Sequence, residues 1–210
     1  AALLVQAGKP NEAQALLAFT HGENEAQNVR LIQAQPELLG GSKQYAQAFE
    51  TLSAGIKRFP NAADLYYDRA MVAEKLGKLD VLETDLRKVI VLRPDNAQAY
   101  NALGYTLADR TSRLAEAIAL LDKALTLAPN DAYILDSVGW AQFRTGNLAK
   151  AQEYLDRAYK LRPDPEIAAH LGEVLWARGQ RDEAGKLWQT SLQTHPQNEV
   201  LLETLHRLKP

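Results

Sequence analysis

The chain of 210 residues contains no cysteine. Disulfides, thiolate metal ligands and thiol nucleophiles are therefore excluded, although this absence does not separate the cytoplasm from an oxidising compartment. The sequence also lacks any apolar run near the roughly 18 residues that a membrane-spanning helix needs. We therefore expect this part of the protein to make no membrane contact of its own.

An excess of charge of either sign is missing as well. The chain has 24 lysines and arginines against 26 aspartates and glutamates, which gives a net charge of −2. Basic residues never occur five in a row, so there is no patch that would attract phosphates. Nucleic acid is therefore not an expected partner.

Recognisable catalytic and metal-binding motifs are also absent. The four histidines do not form a zinc-binding pair on one helix, and no nucleophile elbow, phosphate loop or dinucleotide fingerprint occurs. His170 and Glu173 lie three residues apart, and we expect them to make a structural polar contact at a helix interface. The sequence predicts a protein that is not an enzyme and has no catalytic residue, metal site or cofactor.

Five prolines recur at nearly constant spacing. The intervals are 34, 35, 34 and 33 residues, and the prolines are Pro60, Pro94, Pro129, Pro163 and Pro196. A period near 34 with two amphipathic stretches per period is typical of stacked helical hairpins, because one hairpin cannot bury its apolar face alone. The fold prediction is an all-α solenoid.

Alignment on these prolines divides the chain into repeats. We predict a truncated repeat at 1–28, a degenerate repeat at 29–62, full repeats at 63–96, 97–131, 132–164 and 165–198, and a capping helix at 199–210. The repeat at 29–62 departs from the pattern because Pro36, Gly40 and Gly41 should kink or shorten its first helix. Since the chain begins in what reads as half a helix, we expect it to be part of a longer sequence.

Glycines and capping residues recur at fixed places in the repeats. Glycine inside a helix is unfavourable by roughly 0.5 to 1 kcal/mol, so a glycine repeated at one place predicts the close approach of another helix. Such glycines are Gly104, Gly139 and Gly172. Glycines in the position of a left-handed cap are Gly77, Gly146 and Gly179. The predicted side-chain caps of the helices that follow the prolines are Asn61, Asp95 or Asn96, Asp131, Asp164 and Asn198.

These small, large and glycine positions resemble the tetratricopeptide repeat family, most closely at residues 100–129 and 132–163. The resemblance implies a right-handed superhelix with a C-terminal capping helix. It also implies that the first helix of each repeat lines a concave groove. The residues placed in the groove are Tyr67, Met71, Asn101, Tyr105, Tyr133, Asp136, Trp140, Phe143 and Trp176.

Aromatic and methionine side chains are enriched where proteins bind partners. We therefore predict that the groove binds a peptide or helix of a protein partner, with Tyr105 and Trp140 as its strongest candidates. The alternative is that several of these aromatic residues pack between repeats as core. Acidic residues outnumber basic ones at the groove positions, which favours a basic ligand over an anionic C-terminus.

Three segments, 100–111, 135–140 and 168–176, are similar to the C-terminal repeats of a group of bacterial outer-membrane lipoproteins. The resemblance implies an adaptor on the periplasmic side of the outer membrane for a carboxyl-terminal processing protease and its substrates. It places the lipid anchor in N-terminal sequence outside this chain. A cytoplasmic location, a role as the recognition arm of a larger enzyme, and self-association into a homo-oligomer are the alternatives.

Overall fold

The computed structural model describes residues 1, 3–4, 7, 9–37 and 42–208, and all regular structure in these ranges is helical. The predicted all-α class is therefore confirmed. The helices are α1 (Pro10–Phe19), α2 (Glu25–Glu37), α3 (Ser42–Arg58), α4 (Ala63–Lys75), α5 (Leu79–Leu92), α6 (Ala97–Arg110), α7 (Leu114–Leu127), α8 (Ala132–Arg144), α9 (Leu148–Leu161), α10 (Pro165–Ala177), α11 (Arg181–Thr194) and α12 (Glu199–Leu208).

The segments predicted as full repeats each contain two of these helices, whereas the start of the chain is less regular. Helix α2 begins at Glu25, before the predicted boundary at 29, and Pro36 lies in its last turn. The kink expected at Gly40 and Gly41 lies outside the described residues. Within the described ranges, none of the helices combines the length and apolar character that crossing a bilayer requires.

The chain forms two compact units, Ala1–Asp95 and Asn96–Pro210, which we call unit 1 and unit 2. In unit 1, α3 packs against α2 and α4, and α4 packs against α5. The core between α2, α3 and α4 is formed by Val29, Ile32, Leu52, Ile56 and Leu65.

Unit 2 contains the hairpins α6–α7, α8–α9 and α10–α11, followed by α12. The first helices of these hairpins also contact one another in order, α6 with α8 and α8 with α10, and α12 packs against α10. The first helices therefore form one continuous layer, and each second helix packs against the first helix of its own hairpin. Helix α12 extends this layer at its C-terminal end, as the prediction of a capping helix requires.

The second helix of each hairpin buries residues at i, i+4 and i+7. This spacing places three side chains on one face of a helix, where they pack on the first helix. The buried residues are Leu82, Leu86 and Val89 in α5, Ala117, Leu121 and Ala124 in α7, Ala151, Leu155 and Ala158 in α9, and Ala184, Trp188 and Ser191 in α11.

The glycines inside the first helices lie directly against these second-helix side chains. A Cβ atom placed on each glycine would lie far inside normal contact distance of its neighbour. The contacts are Gly104 with Leu121 Cγ at 2.7 Å, Gly139 with Leu155 Cγ at 2.6 Å, and Gly172 with Trp188 Nε1 at 2.0 Å. The predicted close approach of the helices is therefore confirmed.

Most of the predicted caps are present. The side chains of Asn96, Asp131, Asp164 and Asn198 each accept at least one hydrogen bond from a backbone N–H in the first turn of the helix that follows. The prediction for Asn61 was wrong, because Ala62 is the N-cap of α4 and no side chain caps that end. The three glycines predicted as left-handed caps at the C-terminal ends of first helices adopt positive φ. The values are 68°, 82° and 82° at Gly77, Gly146 and Gly179.

Candidate protein-binding surface

The residues predicted to line a groove lie on first helices in both units. Tyr67 and Met71 lie on α4 in unit 1, where both are half-buried. Burial raises the pKa of Tyr67, and the nearby carboxylates of Asp68 and Glu74 raise it further. The phenol of Tyr67 therefore stays neutral and can both donate and accept a hydrogen bond.

The other seven predicted residues lie in unit 2, on the layer of first helices. We call this set the first-helix face of unit 2. Its members are Asn101 and Tyr105 on α6, Tyr133, Asp136, Trp140 and Phe143 on α8, and Trp176 on α10.

A buried histidine on α10 brings four members of this face together. The Nδ1 atom of His170 lies 2.9 and 3.0 Å from the two carboxylate oxygens of Asp136. The Trp140 ring stacks on the imidazole with centroids 4.4 Å apart, and the Tyr105 ring centroid lies at 6.2 Å. Phe143 packs against Trp140 at 5.2 Å.

This arrangement buries two of the residues predicted to contact a partner. Trp140 is only 8% exposed and Asp136 only 7%. The Trp140 indole N–H donates to Asp109 Oδ1 at 3.2 Å, which fixes the ring further. For Trp140 and Asp136 the structure therefore favours packing between repeats, the alternative stated above, over open contact.

The remaining aromatic members of the face keep accessible surface. Tyr133 is 41% exposed, its hydroxyl donates to Asp164 Oδ2 at 3.2 Å, and the guanidinium of Arg162 lies over its ring at 5.0 Å. Tyr105, Phe143 and Trp176 are half-buried. The accessible part of the face is therefore formed by rings whose orientation is fixed by neighbouring side chains.

Two polar groups of α6 accompany these rings. Burial raises the pKa of Tyr105 well above its ordinary value, and the carboxylates of Asp109, Asp136 and Glu166 add to the effect. Its hydroxyl is therefore neutral at physiological pH. One turn away, the side-chain oxygen of Asn101 is buried and accepts no hydrogen bond from any described residue.

Polar side chains one repeat apart contact each other across the first helices of unit 2. These contacts join Asp109 to Arg144, Asp136 to His170, and Glu173 to Arg207, at separations of 35, 34 and 34 residues. Arg144 also donates to the backbone carbonyl of Asp109. These pairs are not among the contacts predicted from the sequence, although an acidic residue followed one period later by a basic residue or histidine was a usable signal. The expected contact between His170 and Glu173 is replaced by these two separate pairs.

In unit 1 an acidic residue is also paired, here within one repeat, beside an open cleft of about 470 Å³. Both carboxylate oxygens of Asp64, in the first turn of α4, accept hydrogen bonds from the Arg93 guanidinium. Asp64, Asp136 and Glu173 each pair with a basic residue or histidine that lies outside the predicted groove positions. The count of acidic residues overstated the negative charge, so the structure does not support the expected preference for a basic ligand.

The stacked helical hairpins and this face define a helical-repeat protein, a class whose members generally mediate protein–protein interaction. The family model described as "Tetratricopeptide repeat" matches residues 83–132 and 139–199, and the chain belongs to this family. TPR repeat-containing protein PA4667 of Pseudomonas aeruginosa is 45% identical over 171 residues, which are 81% of this chain and 29% of that protein. The mitochondrial import receptor subunit TOM70 of Rattus norvegicus is 26% identical over 77% of this chain and 27% of its own length. The chain therefore spans less than a third of these curated relatives.

Solved structures share the fold at lower identity. TTC0263, a thermophilic TPR protein of Thermus thermophilus, superposes with a TM-score of 0.72 at 22% identity and covers 89% of this chain and 100% of its own. PilF of Pseudomonas aeruginosa gives a TM-score of 0.64 at 21% identity, covering 95% of this chain and 84% of its own. At these identities the likeness concerns the fold alone.

Proposed function

We propose that the chain is a protein-interaction scaffold and that the first-helix face of unit 2 binds a peptide or helix of a protein partner. Tetratricopeptide repeats in general mediate protein–protein interaction, and the observation that carries the proposal is the row of partly accessible aromatic rings on α6, α8 and α10. Tyrosine and tryptophan provide large contact areas and dominate the energetics of many interfaces.

The support beneath these rings favours the same function. Trp140, the buried tryptophan of the face, stacks on His170, and Tyr105 and Phe143 rest against this pair. A ring that is already held in place loses little conformational freedom when a partner binds, which leaves more of the contact energy as affinity. The face is therefore suited to a partner segment that inserts apolar side chains between fixed rings.

The polar groups of α6 add a way to orient such a segment. An unpaired buried carbonyl oxygen is unfavourable by about 1 to 3 kcal/mol, and rotation of the Asn101 amide toward a bound backbone N–H removes this penalty. The neutral Tyr105 hydroxyl is able to donate to a backbone carbonyl of the same segment. Because Asp136, the acidic member of the face, is paired with His170, the segment needs no strong charge.

The test combines photo-crosslinking with calorimetry. A photo-reactive residue in place of Tyr133 in the full-length protein should crosslink to one segment of a partner, and that segment is then synthesised. We expect Tyr105→Ala and Tyr133→Ala each to weaken its affinity about tenfold or more, since loss of an interface anchor typically exceeds 1.4 kcal/mol.

The control is Leu161, a large apolar side chain that is 56% exposed at the end of the second helix α9. Leu161→Ala should leave the affinity unchanged, and a photo-reactive residue there should capture a different set of proteins. Equal losses for Leu161→Ala and Tyr133→Ala would remove the assignment to the first-helix face.

We further propose that the scaffold acts as an adaptor on the periplasmic side of the bacterial outer membrane, where it presents substrates to a carboxyl-terminal processing protease. The support is the resemblance of segments 100–111, 135–140 and 168–176 to that lipoprotein group. In a reconstituted assay the full-length protein should accelerate cleavage of a cell-wall hydrolase by such a protease. Absence of acceleration, or recovery of the full-length protein in the cytoplasmic fraction, would refute the adaptor while leaving the binding face to its own test.

A further inference from the structure

His170 is buried beneath the aromatic rings of α6 and α8 and contacts a carboxylate as well as packing against those rings. His170 is 7% exposed, and its Nδ1 atom bridges both oxygens of a carboxylate on the preceding first helix. The charged and titratable groups around it are Asp136 on α8, Glu166 and Glu173 on α10, Tyr105 and Asp109 on α6, and Arg207 on α12, which pairs with Glu173. Arg207 forms an ion pair with Glu173. The other groups are carboxylic acids and one neutral phenol.

We propose that His170 is a proton-dependent latch between α8 and α10: the imidazolium holds the Asp136 carboxylate against α10, and loss of its proton at higher pH loosens the contact. The latch is independent of whether the face above it binds a partner.

The chemistry of the two states follows from the position of Nδ1. Because Nδ1 faces the carboxylate in the structure, its N–H donates to Asp136 whether the ring is charged or neutral, and the proton that leaves to solvent is the one on Nε2. After that loss, Asp136 keeps a hydrogen bond but has no cation beside it. A buried carboxylate without a compensating charge is strongly unfavourable, so the contact between α8 and α10 weakens.

The direction of the pH dependence follows from the pKa of His170. Burial by itself lowers this pKa, but the charge and hydrogen bond of Asp136 raise it, with further contributions from Glu173 and Glu166, and the net pKa lies above its ordinary value. A group whose pKa is raised by folding stabilises the fold fully below the unfolded pKa, near 6.5 for histidine. That stabilisation is lost as the pH rises through the folded pKa, by about tenfold in the folding constant for each unit of elevation.

The latch lies where it can change the face above it. Trp140 stacks on His170 and packs against Phe143, and the Tyr105 ring borders the same imidazole. Loosening α8 from α10 therefore alters the support of three rings at once. Exposed histidines have no such position, which makes His195 and His206 suitable internal references.

The experiment is an NMR titration of the four histidine side chains in the complete chain, assigned with His21→Gln, His195→Gln and His206→Gln. We expect a His170 pKa above 6.5 in the native protein. In Asp136→Asn it should fall below 6.5, because burial then dominates. A native His170 pKa at or below 6.5 would overturn the proposal, as would a pKa that does not move in Asp136→Asn.

Hydrogen exchange supplies a readout of the latch itself. Protection factors of amides in α8 and α10 should fall between pH 6.5 and the pH just above the folded pKa, about tenfold per unit of elevation. In His170→Gln they should be flat over the same range. An equal decline in His170→Gln would refute the latch, and if that variant does not fold, the titrations of the native protein and of Asp136→Asn still decide.

Discussion

Gly172→Ala should lower the free energy of unfolding of unit 2 by about 3 kcal/mol, the upper end of the range for overpacked cores. The added methyl carbon would lie 2.0 Å from Nε1 and 2.4 Å from Cε2 of the Trp188 ring. An indole cannot bend away, and Trp188 is fully buried, so α10 and α11 must separate. The measurement is urea denaturation followed by tryptophan fluorescence, because all three tryptophans of the chain lie in unit 2.

The chain offers a matched control one helix away. Gly185 lies on α11, and a Cβ atom there would meet nothing within 4 Å. Gly185→Ala should therefore stabilise unit 2 by about 0.5 to 1 kcal/mol, the ordinary gain from replacing a helical glycine. Gly139→Ala should fall between the two, since Leu155 can change rotamer more easily than a tryptophan ring. If Gly172→Ala and Gly185→Ala have the same effect on stability, α10 and α11 do not pack closely at Gly172.

The period of the sequence predicted the helices and their close contacts because these are decided within one repeat. The left-handed caps and the capping residues from Asn96 onward depend on backbone sterics and on neighbours within a turn. The glycines at 104, 139 and 172 depend on the second helix of the same hairpin, 16 or 17 residues further along the chain. The cap predicted at Asn61 was wrong because the next residue, Ala62, occupies the N-cap position of α4. A shift of one residue is enough to remove a side-chain cap and cannot be read from composition.

The exposure of the candidate site residues was predicted less well. A residue's position in the repeat predicts the face of the helix on which its side chain lies, but not how much of that side chain the neighbouring repeat buries. Trp140 and Tyr105 occupy equivalent places in successive repeats, yet Trp140 is buried by a histidine that no groove position included. Whether an aromatic ring at this position is exposed to solvent depends on the side chains of the adjacent repeat and on how closely the two repeats pack. The pairs of Asp136 with His170 and Glu173 with Arg207 have the same origin, since each joins residues about one period apart.

The second large effect is expected at a buried ion pair in unit 1. Arg69 donates from Nε and Nη2 to the two carboxylate oxygens of Asp85, at 2.7 and 2.8 Å, and from Nη1 to Ser53 Oγ at 3.1 Å. Asp85 is 1% exposed. The equivalent positions of the three following repeats carry apolar or aromatic side chains, namely Leu103 with Leu120, Val138 with Tyr154, and Leu171 with Leu187.

Arg69→Leu alone should lower the free energy of unfolding by about 3 to 5 kcal/mol, because it leaves the Asp85 carboxylate buried without a cation. Arg69→Leu combined with Asp85→Leu should return to within about 1 kcal/mol of the native protein or exceed it, because the pair then matches the apolar pattern of the other repeats. The measurement is urea denaturation followed by circular dichroism, with hydrogen exchange of α4 and α5 to locate the change.

The control for the loss of charge is Arg87, which pairs with Glu83 one turn away on the exposed surface of α5. Arg87→Leu should change the stability by less than about 0.5 kcal/mol, since exposed pairs of this spacing contribute little. A double variant at Arg69 and Asp85 that is as unstable as Arg69→Leu would show that the guanidinium stabilises unit 1 through its packing and its contact with Ser53. Recovery in the double variant would show that the harm in Arg69→Leu comes from the isolated carboxylate, and that this repeat uses an ion pair where its neighbours use apolar contact.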